Sequence, residues 1–336
     1  GLCPTGLLLC SAALLSCLGG GHAEVSVTLD QMKQRGGGVS TFLGFIGKGE
    51  DGTVTSRTKL GWSISPIGDF NGDGFQDHVI AGHQPTGEFY YQAYVVYGKA
   101  NQVGLSRADL TRDSLWSSTS NDPQGFYVSL GVRSNADEND PLSFGSCDTR
   151  TCMTVAGAGD LNGDGKDDLV FSTPFQGSLN SGAVFVIWGN ASIARGTSVD
   201  VEDASFFQIG MIIRGVSRTR LGWSLTRVGD VNADGVEDVA FTALSRRDAA
   251  GQGILGQAYV LYGRPSSRPW NASGEYNLLN MSPDLGFHVL PEVASTEFGS
   301  MVTAIGDVNG DGAADFAVTA PLGAGAMGVV YVVFGS

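Results

Sequence analysis

Apolar runs of four to eight residues, rich in Val, Ile, Phe and Tyr and punctuated by Gly, Pro and Asp, follow one another through most of the chain. Runs this short, with β-branched and aromatic content, predict strands. No stretch of residues 24–336 keeps a 3.6-residue period long enough to predict a helix. The runs recur in a fixed order. A segment opening on Leu-Gly or Phe-Gly leads into an Asp/Asn/Gly loop at residues 60–77, 144–168, 221–238 and 298–315. After each loop comes an apolar stretch ending in small residues (VIAG, VFSTP, AFTAL, AVTAP). A glycine-rich turn and a second apolar run closed by glycine follow (AYVVYG, AVFVIWG, AYVLYG, VYVVFG). A weaker run precedes each unit, near Phe45, Phe126, Phe207 and Phe287.

Four short strands per unit, repeated along the chain, predict an all-β fold: a β-propeller of four-stranded antiparallel blades. The repeats lie around 60–98, 144–189, 221–263 and 298–335, within one domain over 24–336. That span opens on a fourth-strand run and ends after a third strand, so joining the ends would complete a four-bladed ring. The reading preferred from the sequence is a segment of a larger propeller.

The loop between the first two strands of each unit has the spacing D-x-N-x-D-G-x-x-D, and this carries the chemistry. In the first unit Asp69, Asn71, Asp73 and Asp77 offer side-chain oxygens at positions 1, 3, 5 and 9, and Phe75 offers its carbonyl at position 7. The second unit repeats this with Asp160, Asn162, Asp164, Lys166 and Asp168, and the third with Asp230, Asn232, Asp234, Val236 and Asp238. The fourth has Asp307, Asn309, Asp311, Ala313 and Asp315. All donors are hard oxygens, which favours Ca²⁺ at about four sites over zinc or copper. An EF-hand would need Glu at position 12, where this chain has Ile80, Phe171, Phe241 and Val318 inside the next strand. An Asp/Asn/Gly turn without metal is the bland alternative for one loop. Four in register, each with three carboxylates, repel themselves without a cation.

The combination FG … GD-x-NGDG-x-x-D … TAP … VYVVFG resembles the FG-GAP repeat of integrin α-subunit propellers and related secreted proteins. It covers most of residues 40–336. Leu-Gly replaces Phe-Gly in units one and three, and Ala233 replaces the glycine at loop position 4 in unit three, but no ligand position is lost. The resemblance implies a calcium-stiffened extracellular scaffold that binds another extracellular protein or a cell-surface ligand, with calcium structural and not catalytic. Integrin propellers have seven repeats where four are visible here. The alternative implied by resemblance is the accessory propeller of a larger secreted hydrolase, like that of glycosylphosphatidylinositol-specific phospholipase D.

Charge narrows the class of partner. Lys plus Arg is 20 against 34 Asp plus Glu, a net charge of −14, which argues against nucleic acid. Four Ca²⁺ would bring that to about −6. Residues 1–23, with an apolar run from Leu7 to Leu18 followed by small residues, read as a secretory signal peptide. No later segment reaches the ~20 apolar residues that a transmembrane helix needs. Beyond the signal the chain keeps Cys147 and Cys152, an even number suited to an oxidising compartment. They sit in a seven-residue insertion of unit two, and a disulfide between them would restrain it. Asn190, Asn271 and Asn280 head Asn-X-Ser sequons, usable on a secreted or cell-surface protein.

Alternating strands sort the connections onto two ends of the propeller. The acidic loops and all three sequons share one end. The other collects Arg214, Arg218, Arg220, Arg246 and Arg247, a candidate patch for a carboxylate-bearing partner, with ordinary solvated charge as the bland reading. There is no H-E-x-x-H, no G-x-S-x-G and no P-loop, so the sequence is read as that of a non-enzyme.

Overall fold

The computed structural model describes residues 42–43, 46–48, 54–57, 61–86, 88–98, 108–109, 125–130, 153–177, 180–189, 193, 197–244, 256–268, 270, 274–278, 281–292 and 297–336. All of them fall in one compact unit. Cys147, Cys152, Asn190, Asn271, Asn280, Arg246 and Arg247 lie outside the described residues, as does the signal segment.

Three short strands come first: β1 (Phe42–Leu43), β2 (Ile46–Lys48) and β3 (Val54–Arg57). Blade one follows with β4 (Ser63–Gly68), β5 (Asp77–Thr86), β6 (Glu88–Val96) and, after the two-residue β7 (Ala108–Asp109), β8 (Gly125–Leu130). Blade two is β9 (Thr154–Gly159), β10 (Asp168–Thr173), β11 (Ala183–Ile187) and, beyond β12 (Ser198–Asp200), β13 (Gly210–Arg214). Blade three is β14 (Leu221–Gly229), β15 (Asp238–Ala243), β16 (Gln257–Leu261) and, beyond β17 (Glu275–Asn277), β18 (Gly286–Val289). Blade four is β19 (Val302–Gly306), β20 (Asp315–Ala320) and β21 (Val329–Val333).

The first three blades pair in simple antiparallel order: β4-β5-β6-β8, β9-β10-β11-β13 and β14-β15-β16-β18. The predicted propeller blades are therefore present. The runs near Phe126, Phe207 and Phe287 precede or form the fourth strands β8, β13 and β18, as their place before each next unit predicts. Two additions were not legible. β12 pairs parallel with β8, and β17 parallel with β13, so the connection within the following blade returns to widen the outer edge of the preceding one. These strands are only three residues long, too short to show a period.

Blades two and three are each covered on both faces by their neighbours, which explains why their second strands are continuous apolar runs. β10 and β15 are buried at every position. One core lies between blades one and two, where Val79, Val95, Phe126 and Phe70 meet Leu169, Phe171 and Phe185. A second brings Val170, Val184 and Val186 against Phe241, Tyr259 and Leu261. A third packs Val228, Val231 and Val260 against Phe298, Phe316 and Val318.

Among the described residues no fourth strand pairs with the β21 edge of blade four. The sequence allowed the run near Phe45 to complete blade four; Phe45 itself lies outside the described residues, β2 just after it pairs with β3, and β21 forms one edge of a three-stranded sheet. The face of blade four turned away from blade three is correspondingly bare. Val308 is 56% exposed where its counterpart Val231 is 2% exposed, and Val332 is 46% exposed where Val260 is fully buried.

Candidate metal loops

Each acidic loop folds by the same set of side-chain to backbone hydrogen bonds. In loop three the Asp230 carboxylate accepts the N–H groups of Asp234 at 3.0 Å and Gly235 at 2.7 Å. Asn232 Oδ1 accepts from Asp234 N, and Asp234 Oδ1 accepts from Val236 N. The Asn232 amide donates to Asp234 Oδ2 at 3.0 Å. Asp69, Asn71 and Asp73 repeat this network. So do Asp160, Asn162 and Asp164, and Asp307, Asn309 and Asp311. The turn needs left-handed backbone at position 6, where Gly74, Gly165, Gly235 and Gly312 have φ of 87°, 90°, 88° and 95°.

Position 9 is held differently. Asp77, Asp168, Asp238 and Asp315 are buried at the start of the second strand. One oxygen accepts the backbone N–H at loop position 2, from Phe70, Leu161, Val231 and Val308 at 2.8 to 3.0 Å. The other accepts from the glycine that closes the third strand: Gly98, Gly189, Gly263 and Gly335, at 2.6 to 2.9 Å. These glycines are required by contact. A Cβ on Gly263 would lie 2.2 Å from the Glu237 carbonyl oxygen, and one on Gly189 would lie 2.4 Å from that of Asp167. The aspartate thus ties loop to strand end, a role the sequence reading missed. The invariant glycine after each third apolar run was the available signal.

Burial pushes the Asp77 carboxyl up to about 6 and that of Asp238 up to about 7, and holds Asp168 well above the usual carboxylate range. Backbone donors pull the other way. Neighbouring carboxylates add to the rise: Asp73 on Asp77, Asp164 and Asp160 on Asp168, and Asp234 and Asp230 on Asp238. In loops two and three, positions 1, 5 and 9 are therefore close enough for their charges to repel. Among the described residues no three His, Cys, Asp or Glu side chains already converge on one point. The exposed set of each loop is two carboxylates, an asparagine oxygen and a backbone carbonyl. That donor set fits a hard divalent cation, and unbalanced negative charge is what such an ion neutralises.

Neighbouring loops are linked across blades. Asp167, one residue before the end of loop two, accepts the N–H of Asp69 at 2.7 Å. Ala314 N–H donates to the Asp230 carbonyl at 2.8 Å, and Arg264 N–H to that of Leu161 at 2.8 Å. Above the blade two and three junction Trp188 stacks on Trp270, with the Arg264 guanidinium 5.1 Å from the Trp270 ring.

Of the predicted arginine patch, Arg214, Arg218 and Arg220 are among the described residues. Arg214 pairs with Glu275 at 2.5 Å. Arg220 lies over the rings of Phe175 and Trp223, at 5.0 and 5.7 Å. Arg218 lies between them in sequence.

The FG-GAP repeat family matches residues 154–187 and 301–333, which span most of blades two and four. The chain is 32% identical over 178 residues to a phosphatidylinositol-glycan-specific phospholipase D of Dictyostelium discoideum, covering 49% of this chain and 17% of that protein. It is 31% identical over 184 residues to integrin alpha-PS2 of Drosophila melanogaster, covering 53% and 11%. With integrin alpha-4 of Xenopus laevis it shares 29% over 164 residues, covering 48% and 14%. The chain thus spans less than a fifth of the length of these relatives. It is a protein with FG-GAP repeats that resembles the integrin alpha N-terminal region.

Proposed function

We propose that this chain is an extracellular, calcium-binding propeller segment that acts as a protein-interaction or adhesion module and not as an enzyme. The observation that carries the reading is the fourfold recurrence of one loop network with an unbalanced set of oxygen donors at its tip. Asp, Asn and Asp at positions 1, 3 and 5, with the carbonyl at position 7, hold the cation, and the buried aspartate at position 9 sets the loop around it. Calcium at ten times a weak extracellular Kd would add about 1.4 kcal/mol per site. Secretion, the Cys147–Cys152 disulfide and glycans at Asn190, Asn271 and Asn280 belong to the same reading, supported by the sequence features alone.

The test is a thermal melt of residues 24–336 with calcium and then in calcium-depleted buffer, with binding stoichiometry from calorimetry. The reading expects a melting temperature raised by calcium and about four sites. A cooperative melt indifferent to calcium overturns it. The phospholipase D match favours a second reading, an accessory propeller beside a separate hydrolase domain.

A further inference from the structure

We propose that loops one and two bind calcium as a coupled pair joined through Asp167, so that filling either site raises the affinity of the other. This rests on the calcium-binding reading and adds a regulation of the same sites.

Loop one is not self-contained. Asp69 at its position 1 closes its own turn, its carboxylate accepting from Asp73 N–H at 2.9 Å and Gly74 N–H at 2.8 Å. Its main chain is held from the next blade. Asp69 N–H donates to Asp167 Oδ2 at 2.7 Å, and Asp167 N–H donates back to the Asp69 carbonyl at 3.3 Å. Asp167 is position 8 of loop two. It stands between Lys166, whose carbonyl is the donor at position 7, and Asp168, which sets the loop. One residue pair therefore joins a cation donor of loop one to the stretch that shapes loop two.

The joint is close-fitting. Gly68, with φ of 78°, makes room for the Asp167 carboxylate, since a Cβ there would lie 2.1 Å from Oδ2. The Lys166 stem runs past loop one, its Cε 3.3 Å from where a Cβ on Gly72 would sit. Gly189, which donates to Asp168, faces the Phe70 carbonyl of loop one, 3.0 Å from where its own Cβ would sit. Loop one cannot open at Asp69 without breaking a charge-assisted bond to loop two. A cation that fixes Asp69 thus also fixes Asp167, and loop two then has less ordering left to do when it binds.

The other junctions are built differently. Between loops two and three Glu237 takes the place of Asp167, but its carboxylate pairs with Arg227 of its own blade. Between loops three and four the residue is Ala314, whose N–H donates to the Asp230 carbonyl at 2.8 Å but which has no side-chain acceptor to offer.

The experiment is a calcium titration of the whole chain read by hydrogen exchange, each loop followed through its own peptide and folding through the β15 peptide. Salt is kept at about 0.15 M, where charges more than about 8 Å apart are largely screened. Asp73→Ala removes a donor from loop one and should raise the calcium concentration that half-protects loop two about tenfold. Asp164→Ala in loop two should move loop one by the same factor, because coupling is reciprocal. Asp234→Ala in loop three should move loop two by less than about twofold. Asp167→Ala keeps every donor and puts at position 8 the residue that loop four has there. In that background Asp73→Ala should leave loop two where it was. Asp167→Asn, which keeps an acceptor for the Asp69 N–H, should retain part of the coupling. A loop two unmoved or tightened by Asp73→Ala, an equal shift from Asp234→Ala, or a shift that survives Asp167→Ala overturns the coupling, while the loops' calcium response keeps the metal assignment. Loops whose exchange ignores calcium in the parent protein overturn the metal assignment itself, and the coupling with it.

Discussion

Asp238 and Gly263 stand 25 residues apart and meet through one hydrogen bond, the Gly263 N–H donating to Asp238 Oδ1 at 2.8 Å. The second carboxylate oxygen accepts from Val231 N–H at 2.8 Å. A carboxylate can accept on both oxygens. An amide of the same shape must turn an NH₂ group towards one of the two donors. Asp238→Asn should therefore destabilise the protein by about 2 kcal/mol, even in calcium-depleted buffer where no metal ligand is lost. Urea unfolding midpoints check this, and an unchanged midpoint would mean that the tie contributes nothing.

The same carboxylates set a pH dependence. Burial raises Asp77 to about 6 and Asp238 to about 7, above the value of about 3.9 for an unfolded aspartate. The folded state then binds more protons than the unfolded state between those values. Its stability from these groups is full below about pH 4 and is lost as pH rises through 6 to 7. Metal-free protein should gain melting temperature from pH 7.5 to 5.5, and calcium should flatten or reverse that trend because protons compete with the cation. A metal-free protein that loses stability on acidification would show that the backbone donors keep these aspartates ionised.

The fold was legible wherever a local rule repeats. The Asp/Asn/Gly loops, the double-sided apolar runs such as Val239 to Phe241 and the closing glycines all recur at fixed offsets, so the blades and their strand order could be read directly. The two parallel edge strands could not, because Ser198–Asp200 and Glu275–Asn277 carry no periodicity and are set by the strands they join. The role of position 9 was hidden for a different reason. An aspartate's letter does not say which backbone groups it accepts from, and only the fold brings the N–H groups of Gly98, Gly189, Gly263 and Gly335 to position 9. Arg214 illustrates the same limit. Its neutralising partner Glu275 is 61 residues away.

Loop three departs from the others at position 4, and the departure has an energetic sign. Ala233 has φ of 54°, where Gly72, Gly163 and Gly310 occupy the same left-handed conformation without a Cβ. Left-handed backbone costs a non-glycine residue about 1–2 kcal/mol, partly offset by the greater unfolded-state freedom of glycine. Ala233→Gly should stabilise by up to about 1 kcal/mol and tighten cation binding at this loop relative to the other three. Denaturation midpoints and calcium calorimetry on the variant check both effects, and a destabilised Ala233→Gly protein would contradict the strain.

The exposed face of blade four can be tested against its buried equivalents. Val260 and Val332 occupy the same place in their third strands, two residues before Tyr262 and Phe334. Val260 is fully buried under blade four, while Val332 is 46% exposed. An aspartate at a buried, apolar position is left without a partner and costs several kcal/mol, whereas surface substitutions usually stay within about 0.5 kcal/mol. Val260→Asp should therefore unfold the protein or lower its stability by more than about 3 kcal/mol, and Val332→Asp should cost less than about 1 kcal/mol. Val308→Asp gives an independent check, since it is 56% exposed where Val231, its counterpart, is 2% exposed. Comparable losses for Val260→Asp and Val332→Asp at low protein concentration would mean that the outer face of blade four is covered within the folded chain. Losses that converge only at high concentration would instead assign the cover to association through that face, because a charge placed at Val332 then opposes binding and not folding.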